Sequence, residues 1–135
     1  MGHLFRLFLL PFIISTGLLA GCKKDSDPSG LAGAWKLTSR TDCYCPAGQV
    51  PNETLTLTNT RYSFTRDGQV VSEGSYTQST GAKCGTTVRL AVLALTENGN
   101  QPTYNVPFTL DGRTLVLDYR NRCISDSPLD TYERL

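Results

Sequence analysis

Three two-residue turn signals divide the second half of the chain: Asp67-Gly68, Asn98-Gly99 and Asp111-Gly112. Each dipeptide favours the positive φ angles of a tight β-hairpin turn. The residues around them alternate between apolar and polar, as Tyr62 and Phe64 do with the hydroxyl residues beside them. A period of two places one face of a strand against a core and the other in water. This combination restricts the chain to antiparallel β structure.

Eight segments carry this alternation or a short apolar run. They are residues 33–39, 53–58, 61–66, 69–78, 86–96, 103–110, 113–119 and 131–135. Segment 86–96 is apolar on both faces, but its Thr and Val content and the turn after it favour a strand over a helix. Eight sequential strands with one apolar face predict an all-β, eight-stranded antiparallel up-and-down barrel, which leaves no open edge. A β-sandwich is the alternative. Gly74 indicates a bulge or a close backbone approach.

The N-terminal segment predicts export. Arg6 precedes an uncharged stretch, residues 7–20, that is too short to span a bilayer. A basic start, a short apolar core and small residues at its end are typical of a secretory signal. Leu19-Ala20-Gly21-Cys22 resembles the bacterial lipobox, which implies that Cys22 becomes the lipidated N-terminus, with palmitate-type chains holding it in a membrane.

The domain organisation follows from this segment. We expect a lipoprotein signal peptide at 1–21, a lipidated N-terminus with a flexible linker at 22–30, and a barrel domain at 31–135. The expected location is the cell envelope, lipid-anchored, and Lys23 after the cysteine favours the outer membrane, on its periplasmic or surface face.

Charge and composition exclude several functions. The only charged residue of 1–21 is Arg6, so the remainder carries equal numbers of basic and acidic residues, which argues against nucleic-acid binding. The single histidine, His3, lies in the predicted signal, which excludes Ser-His-Asp and Cys-His catalysis after cleavage and the commonest metal ligand. We therefore expect no enzyme activity, no cofactor and no metal. The remaining acid–base candidates are Asp118, Asp126, Asp130 and Glu133, which are expected to be solvated.

Four cysteines follow Cys22: Cys43, Cys45, Cys84 and Cys123. Export to an oxidising compartment favours disulfides, whereas a four-thiolate metal site would show two C-x2-C pairs. A Cys43–Cys45 bond would close a very small ring and is set aside. Each of these two residues is then expected to pair with Cys84 or Cys123, and both assignments remain open. Strand parity in a barrel places Cys84 at the end opposite the other three.

Two residues at the ends of the domain point to a family. Gly33-Ala34-Trp35 on the first strand and Arg134 on the last resemble the calycin superfamily, which includes the lipocalins. With the lipobox, Gly74-Ser75-Tyr76, TLVLDY at 114–119 and TYERL at 131–135, the chain is similar to the lipocalin-like lipoproteins of Bacteroidetes. The resemblance implies that Arg134 stacks over Trp35 and closes one end of the barrel.

The resemblance also implies non-catalytic binding of a small apolar ligand in the open mouth of the barrel. The expected lining residues are Tyr62, Phe64, Tyr76, Tyr104, Phe108, Leu115 and Leu117. The alternative is that these bulky side chains fill the barrel. The protein would then be an interaction or inhibitor module that presents loop 42–52, with Tyr44 between two cysteines, to an envelope protein partner.

Overall fold

The computed structural model describes residues 30–46, 48–99, 103–122 and 126–135. Its elements are β1 (Gly33–Thr41), β2 (Glu53–Leu57), β3 (Arg61–Arg66), β4 (Gln69–Ala82), β5 (Arg89–Glu97), β6 (Tyr104–Asp111), β7 (Thr114–Asp118), a short 3-10 helix (Tyr119–Arg122) and β8 (Leu129–Arg134). The predicted signal segment, Cys22 and Cys123 lie outside the described residues.

The eight strands form a closed antiparallel barrel in chain order. Each strand pairs with the next, and β8 pairs with β1 through Trp35 opposite Arg134 and Leu37 opposite Tyr132. The predicted up-and-down barrel is therefore confirmed, and the sandwich is wrong. Asp67 and Gly68 both have positive φ, 49° and 81°, as the turn between β3 and β4 requires.

The strand boundaries differ from the prediction mainly around β4 and β5. β4 continues to Ala82, four residues beyond the predicted end, and pairs with β5 as far as Arg89. The segment that was ambiguous between helix and strand is a strand. The 3-10 helix after β7 was not predicted.

The alternating residues form the core as expected. Buried apolar side chains from every strand point into the barrel and belong to one cluster, and the largest fully buried ones are Trp35, Tyr62 and Tyr132. Leu31, just before β1, joins them and accepts the indole N–H of Trp35 on its carbonyl oxygen at 2.9 Å. The centre of the barrel is thus packed with the chain's own side chains.

Gly74 marks a close backbone approach. A Cβ at this position would lie 2.0 Å from the carbonyl oxygen of Thr96 and 2.9 Å from Cα of Glu97 on β5. No side chain fits there without moving the backbone of β5. The bulges lie elsewhere: the register places Thr38 as an extra residue on β1 and Val71 as an extra residue on β4.

β5 and β6 separate along half of their length. They pair only from Val92 opposite Pro107 to Leu95 opposite Tyr104. The start of β5, residues 89–91, stays paired with β4, and the end of β6, residues 108–111, stays paired with β7. The two stretches do not pair with each other, so a cleft opens between them. We call it the seam cleft.

The expected disulfide pairing is wrong for the first two cysteines, because Cys43 is bonded to Cys45. The chain turns sharply after β1, where Asp42 has a φ of 60°, and the two Cα atoms lie 5.1 Å apart, within the range that a disulfide spans. Cys84 is also disulfide-bonded, and its partner is not among the described residues. Disulfide sulfurs cannot serve as the thiolates of a four-cysteine metal site.

The connection after β7 reaches the loop that holds Cys84. Asn121 accepts the amide N–H of Cys84 at 2.8 Å and donates to the carbonyl of Ala82 at 3.2 Å. The loop that holds Cys84 and the chain that follows β7 therefore meet, although strand parity places them at opposite ends of the barrel.

Candidate functional site

An ion network occupies the end of the barrel where β1 ends and β2 begins. Arg40 donates to both carboxylate oxygens of Asp130, from Nε at 2.7 Å and from Nη2 at 2.6 Å. Nη2 of Arg40 also lies 3.3 Å from Glu53, whose other oxygen accepts Nη2 of Arg66 at 2.7 Å. Two carboxylates and two guanidinium groups make the network electrically neutral.

Both carboxylates are buried, since Glu53 is 3 % exposed and Asp130 is 1 % exposed. The expectation that Asp130 is solvated was wrong, whereas Asp126 and Glu133 are exposed as expected. A buried carboxylate needs a charged or hydrogen-bonded partner. Asp130 has Arg40, and Glu53 has both arginines and the Tyr132 hydroxyl, which donates to it at 2.7 Å.

The bulge in β1 brings Arg40 into this network. Trp35 and Leu37 point into the barrel, so strict alternation would direct residue 39 inward and residue 40 outward. The extra residue Thr38 shifts the register by one, and Arg40 faces Asp130 across the β1–β8 pair. A bulge commonly re-aims a side chain in this way.

Two tyrosines beside the network are held neutral. Burial is the main cause that raises the pKa of Tyr119 and of Tyr132, and the nearby carboxylates raise both further. The pKa of Arg40 is raised chiefly by its hydrogen bonds to Asp130. Tyr119 and Tyr132 therefore keep their protons, and Arg40 keeps its charge, over the whole physiological range.

The network forms the floor of a cavity of about 310 Å³, which we call the mouth. Its other walls combine aromatic, hydroxyl-bearing and aliphatic residues: Phe64, Tyr104, Tyr119, Ser72, Ser127, Val71 and Pro128. The mouth is therefore polar and charged at its base and aromatic on its sides.

The residues predicted to line an apolar pocket are mostly packed in the core. Tyr62, Tyr76, Leu115 and Leu117 are buried, and the Tyr76 hydroxyl donates to the carbonyl of Thr58 at 2.7 Å. Phe64 and Tyr104 lie on the walls of the mouth, and Phe108 lies in the seam cleft. Arg40, Glu53 and Arg66 were missed as site residues.

The seam cleft has a volume of about 590 Å³. Its apolar walls come from both separated strands and from β7 and β8: Leu90, Ala91, Pro107, Phe108, Val116 and Leu129. The polar residues at its edge are Lys83, Arg89, Thr109, Asp118 and Arg120. Of these eleven residues, only Phe108 was predicted from the sequence to line a ligand site.

Most charges at the seam cleft already have partners. Arg120 bonds Asp118 at 2.8 Å and Asp42 at 2.6 Å, and this pairing lowers the pKa of Asp118. Arg89 donates to the carbonyl and hydroxyl oxygens of Thr80 at 3.0 and 2.7 Å. Most charged groups at the edge of the seam cleft are thus paired within the protein, whereas no strand pairing covers its apolar walls.

The opposite end of the barrel is closed by Arg134. Its guanidinium carbon lies 4.1 Å from the centre of the Trp35 ring, which is the stacking that the family resemblance implied. Arg134 also donates to the carbonyl oxygens of Ala32, at 2.8 Å, and of Gly30. These contacts fasten the entering chain across the end of the barrel.

The loop between β1 and β2 is exposed. The Tyr44 side chain is 99 % exposed, held between the two bonded cysteines, and Val50 in the same loop is 44 % exposed. On the neighbouring hairpin, Val70 and Val71 are 57 % and 50 % exposed. Apolar groups therefore project into solvent at the end of the barrel that contains the mouth.

Comparisons with models of protein families, with curated proteins and with solved structures found no match to this chain. Within the described ranges, no helix is both long and apolar enough to cross a membrane. The barrel, the mouth and the seam cleft are therefore the basis for a proposed function.

Proposed function

We propose that the chain is a lipid-anchored lipoprotein of the bacterial cell envelope, with a lipocalin-like barrel that binds a small apolar ligand without catalysis. We place the ligand in the seam cleft. The anchor rests on the lipobox-like sequence before Cys22, and the binding function rests on the shape and composition of the cleft.

The observation that carries the proposal is the uncovered apolar wall between β5 and β6. The volume of about 590 Å³ falls within the range of small-molecule sites. Leu90 and Ala91 on one side face Pro107 and Phe108 on the other, and no strand pairing joins them. An apolar ligand that enters gains about 25 cal/mol for each Å² of apolar surface removed from water.

The centre of the barrel offers less room for the same ligand. Trp35, Tyr62, Leu93, Leu115 and Tyr132 are each at most 2 % exposed and pack against one another. A ligand there would have to displace core side chains, and replacing well-packed contacts brings no net gain. The seam cleft needs no such displacement.

The test uses the chain from residue 22 onward with Cys22→Ser, which contains all eight strands. The neutral dye N-phenyl-1-naphthylamine should fluoresce more strongly when the protein is added. Ala91→Phe places a ring in the cleft from an exposed position and should reduce this binding at least about fivefold. Asn105→Phe, at an exposed site on β6 outside the cleft, should leave it unchanged.

Absence of dye binding to the folded protein would contradict the ligand function. If both phenylalanine variants bind the dye as strongly as the parent protein, the dye binds outside the seam cleft. Native mass spectrometry of the purified chain gives an independent measurement, because a carried ligand appears as an extra mass that is lost on denaturation.

The anchor has its own test. The full chain, expressed in a bacterium fed with radioactive palmitate, should carry the label and partition into detergent. Cys22→Ser should lose both properties, whereas Cys43→Ser should keep them. A labelled Cys22→Ser protein would contradict lipidation at this residue.

One observation favours a second candidate function, an interaction or inhibitor module of the envelope. Tyr44 is almost fully exposed in a loop closed by a disulfide, and aromatic anchors on rigid loops lose little entropy on binding. Crosslinking of living cells through a photoreactive residue at position 44 should then capture one defined envelope protein. If a photoreactive residue at exposed position 105 captures the same protein equally well, the result would argue against an interaction through Tyr44.

A further inference from the structure

We propose that the mouth is a second binding site, specific for an uncharged ligand rich in hydroxyl groups, such as a single sugar ring. This inference does not depend on the apolar ligand in the seam cleft, because the two cavities share no lining residue. It rests on charge balance, on unused hydrogen-bonding groups and on the aromatic walls.

The charge balance disfavours ionic ligands. Arg40 and Arg66 are matched by Glu53 and Asp130 through bonds of 2.6 to 3.3 Å. A ligand anion would compete with a buried carboxylate for its guanidinium, and a ligand cation would compete with a guanidinium. Either competition leaves a buried charge without its partner, which is costly.

Several polar groups at the mouth remain available. Within the described part of the chain, the hydroxyl groups of Tyr119 and Ser127 make no hydrogen bond, and each can both donate and accept. The bonds of Arg40 and Arg66 use only Nε and Nη2, so each Nη1 retains two N–H donors. Donors and acceptors that alternate over a short distance match hydroxyl groups, which have both properties.

The aromatic walls suit the remaining surface of a sugar. Phe64 and Tyr104 line the mouth beside the polar floor. The C–H face of a sugar ring is weakly apolar and can pack on an aromatic face while its edge hydroxyl groups bond to the floor. The two carboxylates are fixed by the arginines, so the site is preorganised and little reorganisation opposes binding.

The experiment compares ligands that share one ring and differ in charge. Glucose and N-acetylglucosamine are neutral, glucosamine carries an ammonium group and glucuronate a carboxylate. Each is titrated at millimolar concentration into the ¹⁵N-labelled chain from residue 22 onward with Cys22→Ser. We expect at least one neutral sugar to shift the amide signals of Ser72, Tyr104 and Ser127, and both charged sugars to bind at least about tenfold more weakly.

A matched pair of variants checks the location without disturbing the core. Val71 lines the mouth and is half exposed, whereas its neighbour Val70 is as exposed and does not line it. Val71→Trp should obstruct the mouth and weaken the binding of the neutral sugar at least about fivefold. Val70→Trp should leave this binding unchanged. Failure of both neutral sugars to bind, equal binding of the charged sugars, or equal effects of the two variants would each overturn the proposal.

Discussion

Removing the Asp130 carboxylate should destabilise the barrel severely. Asp130→Ala leaves the Arg40 guanidinium without the partner that receives its two shortest bonds, at 2.6 and 2.7 Å. Arg40 is 16 % exposed, so water restores only part of what it loses. We expect the free energy of unfolding to fall because a largely buried positive charge has lost its main partner.

The magnitude follows from the burial of the pair. Breaking a buried ion pair by removing one partner costs about 3–5 kcal/mol. Arg40 keeps a weaker contact with Glu53 at 3.3 Å and a small exposed fraction, which places the expected loss near the lower limit, about 3 kcal/mol. Single domains have only about 5–15 kcal/mol of stability, so this change removes a large fraction of it.

Urea unfolding followed by tryptophan emission measures this loss directly. Trp35 is the single tryptophan and is fully buried, so its emission reports the opening of the barrel. With a slope of about 1–3 kcal/mol per molar urea, the midpoint should fall by about 1–3 M. Glu133→Ala removes an exposed carboxylate from the same strand and should change the stability by less than about 0.5 kcal/mol.

A double-mutant cycle separates the lost pair from other effects. Arg40→Met in the Asp130→Ala background removes the unpaired charge and should recover about 1–2 kcal/mol, because replacing both partners by uncharged groups is far less costly than removing one. The stabilising role of the Arg40–Asp130 pair is refuted if Asp130→Ala lowers the free energy of unfolding by less than about 1 kcal/mol, or if the effects of the two substitutions on that free energy are additive.

Three further results are expected. Gly74→Ala should lower the free energy of unfolding by at least about 2 kcal/mol, because its Cβ would lie 2.0 Å from a backbone oxygen. Gly81→Ala should lower it by less than about 1 kcal/mol, because its Cβ meets only a valine methyl at 3.1 Å. Thermal unfolding of both variants measures the difference. The contribution of Tyr132 to stability should be complete below about pH 10 and should fall as the pH rises further, because the unfolded chain then loses tyrosine protons that burial retains in the barrel. Tyr132→Phe should flatten this decline when the free energy of unfolding is measured against pH. Replacing Cys43 and Cys45 by serine should lower the free energy of unfolding by no more than about 1.5 kcal/mol, because the loop that the disulfide closes is very short. A decrease of about 3 kcal/mol or more, measured by urea unfolding, would contradict this.

The strands were predictable because their signals are local. A two-residue turn and a period of two depend only on neighbouring residues, and they located all eight strands to within a few positions. The largest errors lie where pairing with another strand decides the outcome. β4 continues to Ala82 because β5 pairs with it there, although the sequence beyond residue 78 has no apolar alternation.

The ion network was only partly readable. Glu53 precedes Leu55 by two positions and Asp130 precedes Tyr132 by two, so alternation does place both carboxylates on the inner face. Arg40 has no such signal, because the bulge at Thr38 reverses its direction and a bulge is not visible in the pattern of residue types. Without Arg40, Asp130 was expected to be solvated, and Glu53 was not recognised as a site residue.

The disulfide pairing failed for a related reason. The small ring argued against a Cys43–Cys45 bond, but the positive φ of Asp42 turns the chain directly after β1, and the two cysteines that follow lie close together. Asp is one of the residues that tolerate this conformation. The sequence offers Asp before the first cysteine as a weak signal, but the turn itself is set by where β1 stops pairing with β8 at Thr41.

The position of both cavities follows from the small size of the barrel. Eight strands enclose little more than the volume of their own inward side chains, and here Trp35, Tyr62 and Tyr132 occupy the centre. The mouth and the seam cleft lie where this packing stops. At the seam cleft the core packing ends because β5 and β6 pair along only half of their length. At the mouth it ends because the outermost layer of inward-facing side chains is an ion network and not a set of apolar side chains. The two proposed sites therefore lie at the perimeter of this barrel, and the chemistry of each is set by the residues that interrupt the core.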